Sequence, residues 1–413
     1  MSLESARERS EKPQASVEQS VARLPVGTRL LHIGPPKTGT SALQGSCHAG
    51  RDALRKAGVR YAGSGVQPST AAFAITEREH PSTGRPPSMR HWNSLVREVK
   101  SARGDSVLIS SEFFAGATPV QAERIINELG RERTHVAITL RPLTKILASR
   151  WQQNVQEGAK IRYDEWLREV LTNPASTHAR RFWSRQRHDE LVERWVSVAG
   201  ADRVHVIVID DRDHDGILRQ FETLLGAPAN TLVAHKDAPN RSLTLEEVEV
   251  VRSFNEQFAE AGLSTALRHK LMARGAATHL KRREPEPSEQ KILTPGWAIS
   301  AAYDIALEMI ERISKSGADI RGDLSILTTL PIAGTEERDP ETTVHPEIAA
   351  RAAMGILFSS GATHGYEEGS RVPAWGEPYD LQRLSSRQLA IVLLQRLLSR
   401  LMRIIRSPRT PRT

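Results

Sequence analysis

Between Leu30 and Ser41 the chain reads Leu-Leu-His-Ile-Gly-Pro-Pro-Lys-Thr-Gly-Thr-Ser, an apolar strand that enters a Gly/Pro turn and leaves it in a helical pattern from Thr40. A strand-to-helix turn of this kind points consecutive backbone N–H groups and a helix N-terminus at one spot, which suits a phosphate group. Gly34 and Gly39 permit close backbone approach. Lys37 supplies a point charge, and the hydroxyls of Thr38, Thr40 and Ser41 supply donors. The loop is not that of the nucleotide triphosphatases, G-x-x-x-x-G-K-[ST]: the residue after Gly39 is Thr40, and the lysine precedes that glycine by two positions.

Around the loop, short apolar runs alternate with helical patterns. RLLHI (29–33), SVLIS (106–110), HVAITL (135–140) and VHVIVI (204–209) are apolar on both faces, as strands covered by helices on both sides are. Val59–Ala62 reads as a further short strand. Thr118 with Pro119 and Gln121 opens one helix that Gly130 ends, and Thr244 with Glu247 opens another that Gly262 closes. Asp215–Leu225 is a third, stopped by Gly226. The expected fold is therefore α/β, a three-layer core around a mainly parallel sheet with a P-loop-like turn, plus C-terminal helices.

The expected organisation is a flexible tail over 1–28, a catalytic domain over 29–330, a polar linker over 331–344 and a helical extension over 345–413. Within the domain, Ala62–Arg90 and Thr278–Pro295 read as long loops, which in a folded domain are usually functional or mobile. Helices are expected at 345–359 and 385–406.

The segment Pro36-Lys-Thr-Gly-Thr-Ser41 resembles the P-K-[ST]-G-[ST]-[ST] loop of sulfotransferases that use 3'-phosphoadenosine 5'-phosphosulfate (PAPS), and His32-Ile-Gly34 resembles the bacterial members. That family carries an Arg at the end of a strand and a Ser eight residues later, both on the 3'-phosphate of the donor. Here HVAITL runs into Arg141, and Ser149 stands eight residues on. The likeness continues at moderate strength from about 29 to 330, through Trp151–Gly158, Tyr163–Trp166, Asp210–Gly226 and Asn240–Ser242. It departs at the late R-K-G segment of the animal cytosolic members, which has no clean match. Lys281-Arg-Arg283, in a long loop, offers a substitute for it on the 3'-phosphate, and otherwise reads as a solvated charge run.

The resemblance implies transfer of a sulfuryl group from PAPS to a hydroxyl or amine by in-line displacement, with 3'-phosphoadenosine 5'-phosphate (PAP) as the product and no metal. It implies that Pro36, Lys37, Thr38, Gly39, Thr40, Ser41, Arg141 and Ser149 bind the donor, with Lys37 catalytic on the bridging oxygen. The family's base commonly follows the strand beside the loop strand. At that place the chain reads Ser110-Ser-Glu-Phe-Phe114, so Glu112, between an apolar strand and two aromatics, is the expected base. His32 reads as a core or hydrogen-bonding histidine. His91, Trp92, Trp151 and Gln152 are weaker candidates for an acceptor pocket.

Charge does not choose the partner. The chain carries 57 basic and 49 acidic residues, for a net charge of +8, and the excess reads mainly as a solvated surface with nothing that supports nucleic-acid binding. The single cysteine, Cys47, excludes an internal disulfide and any Cys-rich metal site. Residues 1–28 lack the apolar stretch of a secretory signal, and no apolar run is long enough to span a bilayer. A cytoplasmic location is expected. The expected acceptor is a small molecule, glycan or glycolipid. Arg396, Arg400 and Arg403 share one face of the 385–406 segment, which suits peripheral contact with an anionic membrane or packing in a homodimer. The rival readings are a P-loop kinase, for which VHVIVIDD would supply a magnesium-binding acid, and a non-catalytic nucleotide-binding adaptor.

Overall fold

A computed structural model describes residues 23–331 except 81–82, 103 and 235–240, together with residues 343–361 and the backbone of 366, 367, 370 and 371. Six parallel strands form its sheet: β1 (Arg29–His32), β2 (Val59–Tyr61), β3 (Ser106–Ser110), β4 (Thr134–Leu140), β5 (Val204–Val208) and β6 (Asp319–Arg321), in the order β2-β3-β1-β4-β5-β6. The four strands expected from the apolar runs are present, as is the short one at Val59. The Asp319–Arg321 edge strand was not foreseen, because its three residues carry one apolar side chain between two charges.

Strand alternation divides the core into two layers. Leu30, Leu108, Ala137 and Ile207 face a layer that contains Leu43, Cys47 and Leu54 from helices Thr40–Ala49 and Arg51–Lys56, and Phe221 and Leu224 from helix Gly216–Leu225. Leu31, Ile109, Val136, Ile138 and Val206 face the larger layer. There helices Arg90–Ser101, Pro119–Leu129, Leu143–Gln156, His188–Ala199 and Gly296–Lys315 bring in Trp92, Ile125, Trp151, Trp195 and Met309. Helices on both faces bury both sides of every central strand, which is why those strands read as unbroken apolar runs.

The foreseen helix starts are made by reciprocal caps. Thr118 Oγ1 accepts from the Gln121 amide at 3.2 Å while Gln121 Oε1 accepts from the Thr118 amide at 3.0 Å, and Thr244 and Glu247 do the same. Gly226 ends its helix in the left-handed conformation at φ 64°.

Several expectations are corrected. The stretch 62–90 contains a helix, Ser69–Ile75, whose residues 71–75 are buried; the Gly, Pro, Ser and Thr around it gave the stretch a loop-like composition. Thr278–Pro295 begins as a helix, Ala277–Lys281. Lys281-Arg-Arg283 is not a solvated run. Arg283 is buried and paired with Glu247 and Glu289, so of the three only Arg282 is exposed. Leu24, placed in the expected tail, is buried, and its amide donates to Leu224 O at 3.0 Å. The helix foreseen at 345–359 is present as Pro346–Ser360 and lies against the turn of π-helix His269–Ala276, where a Cβ on Gly275 would meet Gly355 O at 2.7 Å. The 385–406 segment lies outside the described residues.

In the order β2-β3-β1-β4-β5-β6 the chain leaves β1 toward β2 and β3 and then crosses to β4 on β1's other side. The carboxyl end of β1 is therefore a topological switch point, where ligands bind in open α/β sheets. The Gly34–Ser41 loop begins there.

Candidate functional site

Four backbone features shape the loop. Gly34, Lys37 and Gly39 adopt positive φ (80°, 76° and 78°), and the Gly34-Pro35 peptide is cis. Lys37 is the residue that the left-handed region disfavours, and its side chain is half-buried. Helix Thr40–Ala49 then starts with no side-chain cap on its N-terminus. Among the described residues the backbone N–H groups of Lys37, Thr38, Gly39, Thr40 and Ser41 donate to no protein group. Polar groups in a structured loop normally find partners, so five consecutive amides at a helix N-terminus form a cradle suited to an anion.

The loop rests on a buried polar network. His32 is wholly buried, with Nδ1 2.8 Å from Ser110 Oγ and Nε2 3.1 Å from Thr139 Oγ1. The pairing of His32 with Ser110 in the β1/β3 register produces the first contact. Burial pushes the His32 imidazole down to about 3, so it is a neutral structural group, as the sequence suggested. Thr38 Oγ1 donates to Pro35 O at 2.6 Å and lies 2.7 Å from Thr139 Oγ1. Its hydroxyl is therefore turned into the protein. Thr40 is buried and Ser41 exposed. Pro36 O accepts from Gln186 Nε2 at 3.2 Å, which ties the loop to helix Thr177–Gln186.

Glu112 stands at the carboxyl end of β3, next to β1, and begins a 3-10 turn, Glu112–Gly116. The absent side chain of Gly34 makes room for it, since a Cβ there would lie 2.9 Å from Glu112 Cβ. Gln44 Nε2 donates to Glu112 Oε2 at 3.0 Å and Gln67 Nε2 to Oε1 at 3.4 Å. Each carboxylate oxygen is thus aimed by a neutral amide, and neither partner cancels the charge. Gln44 and Gln67 were not foreseen: a glutamine one turn into a helix and another in a loop carry no distinctive pattern.

The field at Lys37 is mixed. Burial is the largest cause that lowers its ammonium, to about 8, and the positive charges of Lys281 and Arg150 add to it against the opposing effect of Glu157 and Glu112. The sequence-picked lysine and carboxylate therefore sense one another across the loop.

Arg141 directly follows β4, the strand beside β1, and Ser149 lies on helix Leu143–Gln156; among the described residues no hydrogen bond or ion pair joins either to the loop. Arg141 donates through Nε and Nη2 to Asp211 Oδ2 at 3.2 and 2.9 Å, and Lys145 Nζ donates to the same oxygen at 2.7 Å. Burial raises the Asp211 carboxyl, and the hydrogen bonds from Lys145 and Arg141 more than offset that, leaving it lowered. Ser149 Oγ donates to Ile146 O at 3.1 Å within its own helix. Beside this pair a cavity of about 240 Å³ is lined by Pro142, Lys145, Asp211 and Thr329 among others. Asp210 is bound by Arg212. No group of three His, Cys, Asp or Glu able to hold a metal occurs among the described residues.

The weaker aromatic candidates are packing residues. Trp92 and Trp151 are wholly buried, with Trp151 Nε1 donating to Ile161 O at 3.0 Å, and Gln152 Oε1 accepts from the Leu243 amide at 3.1 Å. His91 is exposed at the start of its helix. No helix among the described residues is long and apolar enough to cross a membrane.

Compared with protein-family models and with curated proteins, the chain matches none. Among solved structures it is similar to a sulfotransferase from Alicyclobacillus acidocaldarius, at 16% sequence identity and a TM-score of 0.38, over 60% of this chain and 95% of that one. A likeness that distant carries no conclusion about activity.

Proposed function

We propose that the protein is a PAPS-dependent sulfotransferase that moves a sulfuryl group to a hydroxyl or amine of an acceptor. The observation that carries this reading is the cradle: five unpartnered amides from Lys37 to Ser41 at a helix N-terminus, with the Lys37 ammonium in the loop and a Glu112 carboxylate beside it. Two anion-stabilising devices and one proton acceptor at a sheet switch point are what a group transfer between oxygens needs.

The acceptor O–H or N–H gives its proton to a Glu112 oxygen as its lone pair forms a bond to sulfur. The bond from sulfur to the bridging oxygen breaks, and PAP leaves with that electron pair. Lys37 and the loop amides stabilise the charge that gathers on the departing phosphate. Gln44 and Gln67 hold the Glu112 carboxylate in place for proton capture. Arg141 and Ser149 are assigned to the 3'-phosphate of the donor. To serve there, Arg141 must share its guanidinium between that phosphate and Asp211.

Two facts weigh against the kinase reading. The acids after β5 are engaged by Arg212, Arg141 and Lys145, and they stand two strands from the loop strand in the sheet order. The test is release of PAP from PAPS in the presence of a panel of sugar, amino-sugar and phenolic acceptors. Release is expected with at least one acceptor and falls at least a hundredfold in Lys37→Met. Magnesium-dependent ATP turnover with no PAP release would contradict the reading, and PAP binding without transfer to any acceptor would favour the adaptor.

A further inference from the structure

Beside Lys37 four arginines gather around one carboxylate, far more positive charge than the protein neutralises. Arg150 Nη2 lies 3.9 Å and Arg181 Nη2 3.4 Å from Glu157 Oε2, and Gln153 also donates to Glu157. Arg78 follows helix Ser69–Ile75 and stacks on the rings of Phe73 and Phe113, 5.3 and 5.1 Å from their centres. Arg185 projects from helix Thr177–Gln186 toward the Glu112–Gly116 turn, with Nε 3.9 Å from where a Cβ on Gly116 would sit. Its neighbour Gln186 binds the Pro36 carbonyl. The cluster is therefore anchored to both halves of the site, the loop and the Glu112 turn.

The arginines are short of partners. Arg78 and Arg185 make no hydrogen bond or ion pair among the described residues. Arg150 is 3% exposed, and its buried Nη2 has no hydrogen-bond partner. A buried guanidinium without an acceptor is costly, and like charges nearby raise the cost. Burial, with the charges of Arg78 and Arg150, pulls the Arg185 guanidinium down to about 9. Such a cluster is tolerable where an anion regularly sits among the guanidinium groups, each offering a planar pair of donors.

We propose that Arg78, Arg150 and Arg185 form a binding site for an anionic group of the acceptor, a carboxylate, sulfate or phosphate ester, so that the substrate accepting the sulfuryl group is itself acidic. The Phe73 and Phe113 rings beside Arg78 supply an apolar wall for the flat face of a sugar or ring next to that anion. The assignment of the anion to an acceptor rests on the sulfotransferase reading; the anion site itself does not.

The test is calorimetric titration of inorganic sulfate into the full-length protein with and without saturating PAP, on the native chain, Arg185→Gln and Arg78→Leu. With PAP present the native protein is expected to bind sulfate, and both variants at least tenfold more weakly, while PAP affinity stays within twofold. Glucuronic acid is expected to displace sulfate and glucose is not. Removing one like charge relieves repulsion, so without added anion Arg185→Gln is expected to unfold at or above the native midpoint. Added sulfate then raises the native midpoint and leaves the variant's where it was. Equal sulfate affinity in all three proteins places the ion at Lys37 alone and overturns the proposal, as does a lower midpoint for anion-free Arg185→Gln. Failure of the native protein to bind PAP would count against the donor reading, while the sulfate titration without PAP still decides the arginine site.

Discussion

Gly34 has no side chain at the point where Glu112 crosses it: a Cβ at Gly34 would stand 2.9 Å from Glu112 Cβ and 3.2 Å from its Cα. Gly34 also holds φ at 80°. Glycine is thus required twice over, for the left-handed turn and for close approach of the loop to β3's exit. Gly34→Ala should destabilise the fold by about 2 to 4 kcal/mol, read by denaturant unfolding, and should weaken PAP binding at least tenfold. A variant with native stability and affinity would show that the loop and Glu112 are not packed as described.

In the proposed reaction Glu112 takes the acceptor's proton. Glu112→Gln keeps the shape and both amide neighbours while removing the base, so kcat should fall about 10²- to 10⁴-fold, with PAP affinity within threefold of native. Gln44→Ala and Gln67→Ala, which only loosen the carboxylate, should each cost less than the loss of the base. Unchanged turnover in Glu112→Gln would remove Glu112 from the chemistry.

If Lys37 holds the donor as proposed, PAP binding should depend on pH. Burial, Lys281 and Arg150 hold its ammonium near 8 against the pull of Glu157 and Glu112, and a bound phosphate raises it again by favouring the charged form. Below about pH 8 the side chain is charged with or without ligand, and affinity for PAP should be flat. Above that, affinity should fall by up to tenfold per pH unit until the complex's own value is reached. Calorimetry from pH 7 to 9.5 checks this, and Lys37→Met should bind weakly with no such fall.

Three buried histidines, His32, His188 and His205, and the half-buried His135 set the response to acid. His32 is held near 3, and His135 and His188 near 4, in each case chiefly by burial; the His205 imidazole is also lowered by burial, against the pull of Asp319, which it contacts at 2.8 Å. His135 Nδ1 in turn lies 2.9 Å from His205 Nε2, with Arg203, Asp202 and Arg321 around the pair. Depressed values mean that the unfolded chain binds more protons than the fold. Stability is therefore full above about pH 6.5 and is lost as pH falls toward 4, each histidine adding a slope of up to about 1.4 kcal/mol per unit. Denaturant unfolding at pH 7, 6 and 5 should show the decline, and His135→Gln should make it shallower. Stability independent of pH over that span would contradict the buried, neutral assignment.

Much of this architecture was legible in the chain because it rests on local rules. RLLH, SVLIS, THVAITL and VHVIV are strands whose two-sided burial makes most of their residues apolar, and Thr118 and Thr244 announce their helices by chemistry within four residues. The loop at Gly34 was legible for the same reason. What was not legible depends on distant partners. Thr38 turns its hydroxyl inward because Thr139 and His32, more than a hundred residues and six residues away, complete a network there. Arg283 is buried because Glu247 and Glu289 come to it. Arg78, Arg150 and Arg185, from three separate segments, meet only through the fold, and arginine is too common in this chain for its positions to have signalled a site.

The most direct test is calorimetric titration of PAP against ADP, on the native protein and on Arg141→Ala. A donor site built on the Lys37 loop with Arg141 at the 3'-phosphate should bind PAP at least tenfold more tightly than ADP, and Arg141→Ala should remove that preference while leaving ADP affinity within threefold. Equal affinity of the native protein for PAP and ADP would contradict the donor assignment and with it the proposed reaction.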